Sequence, residues 1–137
     1  MRQAKIIRFK DRMPDPNYEP PLLPGRGIWS ETVDNPTLTL SRVVIPPGAR
    51  NQRHYHVHTE AGMYVVKGPV IMLYGPDHER EEVIAETGDF FFVPIGAIHG
   101  LENPSKTEPA EIVTFYGGVG HHSQAGTIFL EPRWDKE

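Results

Sequence analysis

From residue 37 onward the chain alternates apolar and polar side chains with a period of two. TLTLSRVVI (37–45) alternates cleanly, and GPVIMLYG (68–75), EEVIA (81–85), DFFFVP (89–94), EIVTFY (111–116) and TIFLE (127–131) follow as short strand-length runs. Turn chemistry separates them: PPGAR (46–50), GPDHER (75–80), ETGD (86–89), PIGA (94–97), NPSKTEP (103–109) and GGVGHHSQAG (117–126). No stretch of ten or more residues carries a helical period. The expectation is an all-β chain whose eight or so short strands close into a barrel or jelly roll, which removes exposed sheet edges.

Ahead of these strands the pattern breaks. A short apolar patch, KIIRF (5–9), precedes MPDPNYEPPLLPGRG (13–27), in which five prolines deny the backbone a helix and most ladder hydrogen bonds. Tyr18, Leu22, Leu23, Ile28 and Trp29 are nevertheless groups that gain by burial. Residues 1–36 are therefore read as an N-terminal strand and extended Pro-rich arm, packed on its own barrel or on a partner subunit, and residues 37–137 as the barrel of a single domain.

Composition narrows the functions. At 137 residues the chain suits one domain, and 13 glycines with 14 prolines favour many short strands. A formal charge of −4, with Lys and Arg scattered singly, offers no attraction to nucleic acid or anionic lipid. The absence of cysteine excludes disulfides, thiolate metal sites and cysteine nucleophiles. No apolar segment approaches the length of a signal core or membrane span, so a soluble cytoplasmic protein is expected.

The histidines change the picture most. HYHVHTEAG (54–62) holds three of the seven on alternate positions. On a strand, His54 and His56 share a face about 7 Å apart along the backbone, a chelating arrangement, and Glu60 keeps their parity beyond one short turn. A further candidate is His99 in GDFFFVPIGAIHGLEN (88–103), which barrel closure can bring opposite His54. A lone H-x-H is ordinarily a solvated outer-face pattern. His58 reads as a turn residue or a spare ligand should Glu60 be displaced. His121 and His122 read as a mobile surface loop, or as an acid or base over the barrel mouth, and His78 as a plain turn residue.

Gly88, Pro94, Gly96, His99 and Asn103 match G-x5-P-x-G-x2-H-x3-N with every spacing kept, which resembles the second cupin motif. The first, G-x5-H-x-H-x3/4-E-x6-G, is resembled by Gly48, His54, His56 and Glu60, with Gly68 one residue late; a bulge near Ala61 and Gly62 would absorb the extra residue. The resemblance spans residues 37–116. It implies a cupin-like jelly-roll β-barrel with one divalent transition metal held by His54, His56, Glu60 and His99. Three imidazoles and a carboxylate suit Fe, Mn, Ni, Co, Cu or Zn and leave room for water or substrate.

Parity also assigns the cavity wall. Arg42 shares a face with Leu38, Leu40 and Val44 and needs a partner there, either a substrate carboxylate, Glu111, or a subunit interface. Arg50 and Gln52 are placed inward at the rim as substrate-binding groups, Arg53 outward, Tyr64 inward and Met63 outward. The aromatics of 90–92, Phe115 and Tyr116 read as core. The leading functional expectation is a non-haem Fe(II)-type dioxygenase acting on a small, possibly anionic, organic substrate, with Glu60 also shuttling a proton and a homodimeric assembly. A lyase, isomerase or decarboxylase using the metal as Lewis acid, with Tyr64 or a loop histidine moving the proton, is the second. A non-catalytic ligand-binding or sensing module is the third.

Overall fold

The computed structural model describes residues 3–15 and 18–130. Eleven strands appear in it: β1 (Met13–Pro14), β2 (Leu23–Ile28), β3 (Leu38–Ile45), β4 (His54–His56), β5 (Ala61–Lys67), β6 (Val70–Tyr74), β7 (Glu81–Ala85), β8 (Phe90–Val93), β9 (His99–Glu102), β10 (Ala110–Gly117) and β11 (Thr127–Phe129). Helical structure among the described residues is confined to three short 3-10 turns, none long and apolar enough to cross a membrane. The strands form two antiparallel sheets, β1-β2-β3-β10-β5-β8 and β11-β4-β9-β6-β7. The all-β jelly roll expected from the period-two pattern is the observed fold.

Alternation on β3, β5 and β10 decides what lies between the sheets. Val43, Ile45, Met63, Val65 and Ile112 turn inward and meet Val70, Met72 and Leu101 of the opposite sheet in one continuous core. The pairing register stacks Leu40, Phe115, Gly62 and Phe92 in one row, and Arg42, Val113, Tyr64 and Phe90 in the next, on the opposite, outer face. Two parity expectations are corrected here. Tyr64 is exposed and packs on Phe90, whereas Met63 is buried; and Arg42 is directed outward, where its guanidinium is paired with Glu111. The chain passes from one sheet to the other between His56 and Ala61, so parity read on β4 does not carry into β5. The bulge also lies elsewhere: Glu111 pairs with Lys67 and Ile112 with Val65, so the extra residue is Val66.

The arm folds along its own barrel. β2 adds to the edge of β3, and β1 pairs back on β2. Leu22 and Trp29 are buried, and Arg26, 3% exposed, lies between Tyr18 and Trp29 with its Nε 3.1 Å from Asp15 Oδ2. His121 and His122, expected in a mobile loop, instead pack against this arm. Their rings lie 5.1 and 5.8 Å from Trp29, and His122 lies 4.7 Å from Tyr18. Burial, then the Arg26 charge, lowers His122 to a pKa of about 4 and keeps it neutral.

The turns carry the spacing seen in the sequence. Gly88 (φ 95°) closes the β7–β8 turn and Gly96 (φ 82°) the β8–β9 turn, both in the left-handed region that side chains disfavour. Asn103 is buried and ties three segments together. Its amide donates to Ile45 O at 3.0 Å and Glu108 O at 2.8 Å, and its oxygen accepts from Ser105 N at 3.0 Å. Asn103→Ala should therefore destabilise the fold by about 3 kcal/mol, because it strands buried carbonyls as well as removing bonds. Urea unfolding of both proteins checks this, and an unchanged midpoint would show the bonds to be replaceable.

Candidate metal centre

β4 and β9 run side by side with His54 opposite His99, and His56 lies two residues further along the same face. All three side chains are buried, at 1% exposure. Ring centroids are 4.2 Å apart for His54 and His99, 5.0 Å for His54 and His56, and 5.2 Å for His56 and His99. One ligand atom from each histidine lies within 4.8 Å of those of the other two, so the cluster can hold a metal ion.

The Nδ1 atoms fix how the rings face. His54 Nδ1 is 2.8 Å from Gln52 O and His99 Nδ1 is 3.0 Å from Ala97 O, in each case the carbonyl two residues back. A carbonyl accepts but cannot donate, so both Nδ1 atoms carry the proton and Nε2 is turned toward the interior. His56 Nδ1 is held instead by Thr127 Oγ1 at 2.8 Å, from β11. The Nε2 atoms of His56 and His99 are buried without a hydrogen-bond partner. Buried nitrogens of this kind ordinarily find partners, and three rings converging on one point is the donor arrangement of a borderline transition ion.

A carboxylate does reach this point, and it comes from the arm. Glu19 Oε1 lies 2.7 Å from His54 Nε2, at ion-pair length. Glu19 sits at φ 54°, an uncommon conformation for a residue with a side chain. Burial works against its charge, yet the three imidazoles outweigh that and lower its pKa to about 2. Burial likewise opposes charging of His54, and the Glu19 carboxylate overcomes it, so His54 is raised. Burial, with the charge on His54, lowers His56 to about 4 and His99 to about 3. Two rings thus stay neutral, the form that binds a metal.

Of the residues singled out in the sequence, His54, His56 and His99 are brought together. Glu60 is not: it is exposed beyond β4, and its carbonyl accepts from Gly117 N at 3.2 Å. With four residues after His56 instead of three, the first motif puts Gly68 in register and Ala61, buried in the core, at the acid's place. His58 is exposed. Arg50 Nε pairs with Glu102 Oε2 at 3.1 Å, and Gln52 Nε2 donates to Leu130 O at 2.7 Å, while Arg53, expected outward, is buried.

Sequence reasoning missed Glu19, Tyr18, Arg26, Tyr116 and Thr127. The interior beside His54 and His99 is lined by Tyr18, Glu19, Arg26, Met63 and Tyr116 among others, around a cavity of about 20 Å³. That is room for a water or two. Tyr18 donates or accepts across to Tyr116 Oη at 3.3 Å and Thr127 Oγ1 at 2.9 Å. Burial raises both phenols, Tyr18 to about 12, so both keep their protons.

Residues 41–116 match the family model for a cupin domain. A germin-like protein, subfamily 2 member 4, of Arabidopsis thaliana is 28% identical over 97 residues, covering 67% of this chain and 43% of the relative. Oxalate decarboxylase from Bacillus subtilis superimposes with a TM-score of 0.75 at 17% identity, over 95% of this chain and 33% of that one. An oxalate oxidase in complex with the substrate analogue glycolate gives a TM-score of 0.65 at 18% identity, over 85% and 58%. The chain thus spans less than half of the curated relative it matches and a third of the decarboxylase. With the jelly roll, the three-histidine cluster and a family match over more than half of its residues, this chain belongs to the cupin family.

Proposed function

We propose that the protein is a divalent-metal-dependent enzyme acting on a small organic acid, with O2-dependent oxidation of the dioxygenase type as the first reading. The observation that carries it is the buried set of His54, His56 and His99, two of whose Nε2 atoms have no partner while every Nδ1 is engaged. The ion would supply Lewis acidity and open positions for a chelating substrate. Fe, Mn, Ni, Co, Cu and Zn all suit the donors.

The chain's own residues supply the rest. Met63, Ile112 and Leu101 wall the interior and limit water. Arg26 is the one guanidinium lining it among the described residues, and its buried Nη2 has no hydrogen-bond partner. A substrate carboxylate satisfies that donor, which makes Arg26 the anion anchor in place of Arg42, Arg50 or Gln52. Tyr116, buried and protonated, lines the same space with its hydroxyl 3.3 Å from Tyr18 Oη, while Glu60 and Tyr64 lie outside it. A decarboxylation without O2 consumption is the second reading, favoured by the fold likeness to oxalate decarboxylase.

The outer face of the six-stranded sheet supports a homodimer. Phe90 is 81% and Phe92 62% exposed there, contiguous with Phe115, Tyr64 and Leu40. The absence of cysteine fits a reducing, cytoplasmic location.

Metal-loaded protein should consume O2, or release CO2 without it, on a panel of two- and three-carbon acids including oxalate and glycolate. His99→Ala should abolish this along with metal retention, and a loaded protein inert on the whole panel would remove the enzymatic reading. Arg26→Gln should raise KM for the acid about tenfold or more and leave that of the corresponding amide nearly unchanged. In light scattering the wild type should have twice the chain mass and Phe92→Lys the mass of one chain; a monomeric wild type would refute the dimer.

A further inference from the structure

The motif position that should carry the metal-binding acid is Ala61, which has no ligand atom and is sealed in the core at 1% exposure. Glu60, its neighbour, faces solvent. The barrel therefore presents three nitrogens and no carboxylate of its own. Yet a carboxylate is present: Glu19 Oε1 is buried and stands 2.7 Å from His54 Nε2, and its charge is felt by all three histidines. A buried carboxylate oxygen set against His54, next to a three-histidine cluster in which the Nε2 atoms of His56 and His99 lack partners, is explained by one ion that the four residues share.

The arm is built to hold Glu19 at that point. On one side Tyr18 bonds Tyr116 and Thr127; on the other Leu22 is fully buried and its amide donates to Glu19 O at 3.0 Å. Thr127 Oγ1, which accepts or donates to Tyr18, is the same atom that orients His56 Nδ1. The arm thus touches the cluster twice, through the Glu19 carboxylate and through the hydroxyl behind a histidine.

We propose that Glu19 is the fourth metal ligand, supplied by the N-terminal arm in place of the barrel acid that Ala61 lacks, so that metal binding and arm docking are one coupled equilibrium. This rests on the three-histidine metal site proposed above. Coupling is reciprocal: whatever free energy the docked arm adds to metal affinity, the metal returns to docking.

Co(II) titration of the metal-free protein, followed by visible absorption, tests it without reference to catalysis. Wild type should take up one Co(II) per chain and His99→Ala none. Glu19→Gln should weaken Co(II) by at least the roughly ten- to hundred-fold that loss of a ligand's supporting partner costs, and change the ligand-field bands. Glu60→Gln should match wild type in both respects. Hydrogen exchange over residues 18–29 should slow on Co(II) addition in wild type and be unaffected in Glu19→Gln. If the glutamine variant does not fold, Glu19→Asp, which withdraws the oxygen by one methylene, should show the same weakening. Wild type that binds no Co(II) would remove the three-histidine site itself. Wild type that binds normally, with Glu19→Gln identical in affinity, bands and exchange or with Glu60→Gln the weaker binder, would overturn the Glu19 assignment alone.

Discussion

The arrangement depends on how three imidazole rings are held by the nitrogens that do not face the interior. For His54 and His99 the holder is the carbonyl two residues earlier, a local bond that any side chain at Gln52 or Ala97 would leave intact. For His56 it is a hydroxyl from a different strand. The first two rings are therefore set by backbone geometry on adjacent strands, and the third by tertiary structure through β11. With orientation fixed in this way the Nε2 atoms of His56 and His99 have nowhere to turn for hydrogen bonds, and their lack of partners follows from the fold itself.

The electrostatics follow from the same crowding. Three imidazoles this close in a dry interior cannot all be charged, and burial holds His56 and His99 neutral. His54 differs because Glu19 lies against it: against the opposing effect of burial, the carboxylate favours the charged ring and the ring favours the charged carboxylate. A buried carboxylate is tolerable in a low-dielectric space only with such a counter-charge. Glu19 and His54 are thus each the reason the other can be ionised, and a bound cation would take the place that the His54 proton holds.

Much of this was legible in the chain. The period-two runs gave the strands, and the fixed spacing from Gly88 to Asn103 reflects two left-handed turns and one buried amide that ties β3, β9 and the approach to β10. The histidines could be grouped because His54 and His56 share one strand face and the second motif located His99. Extending their parity to Glu60 and Tyr64 failed because the intervening turn transfers the chain between sheets, and alternation is a property of one sheet at a time. Arg42 shares its β3 face with Leu38, Leu40 and Val44, but alternation alone does not say which face looks inward; this one looks outward, and Glu111 across the ladder is its partner. Glu19 and Arg26 lie in a Pro-rich segment with no period at all. Its apolar residues showed that it would bury something, not which polar group would come with them.

That division has a physical logic. The barrel contributes His54, His56 and His99 from two adjacent strands of one sheet, positions that cannot shift without disturbing a packed core. The carboxylate, by contrast, lies on a segment outside the two motifs, held by buried Leu22, by the bonds of Tyr18 to Tyr116 and Thr127, and by the pairing of β2 on β3. Placing the acid there rather than on β5 links the number of donors around the site to docking of the arm, a link that a glutamate at position 61, fixed in the core, would not provide.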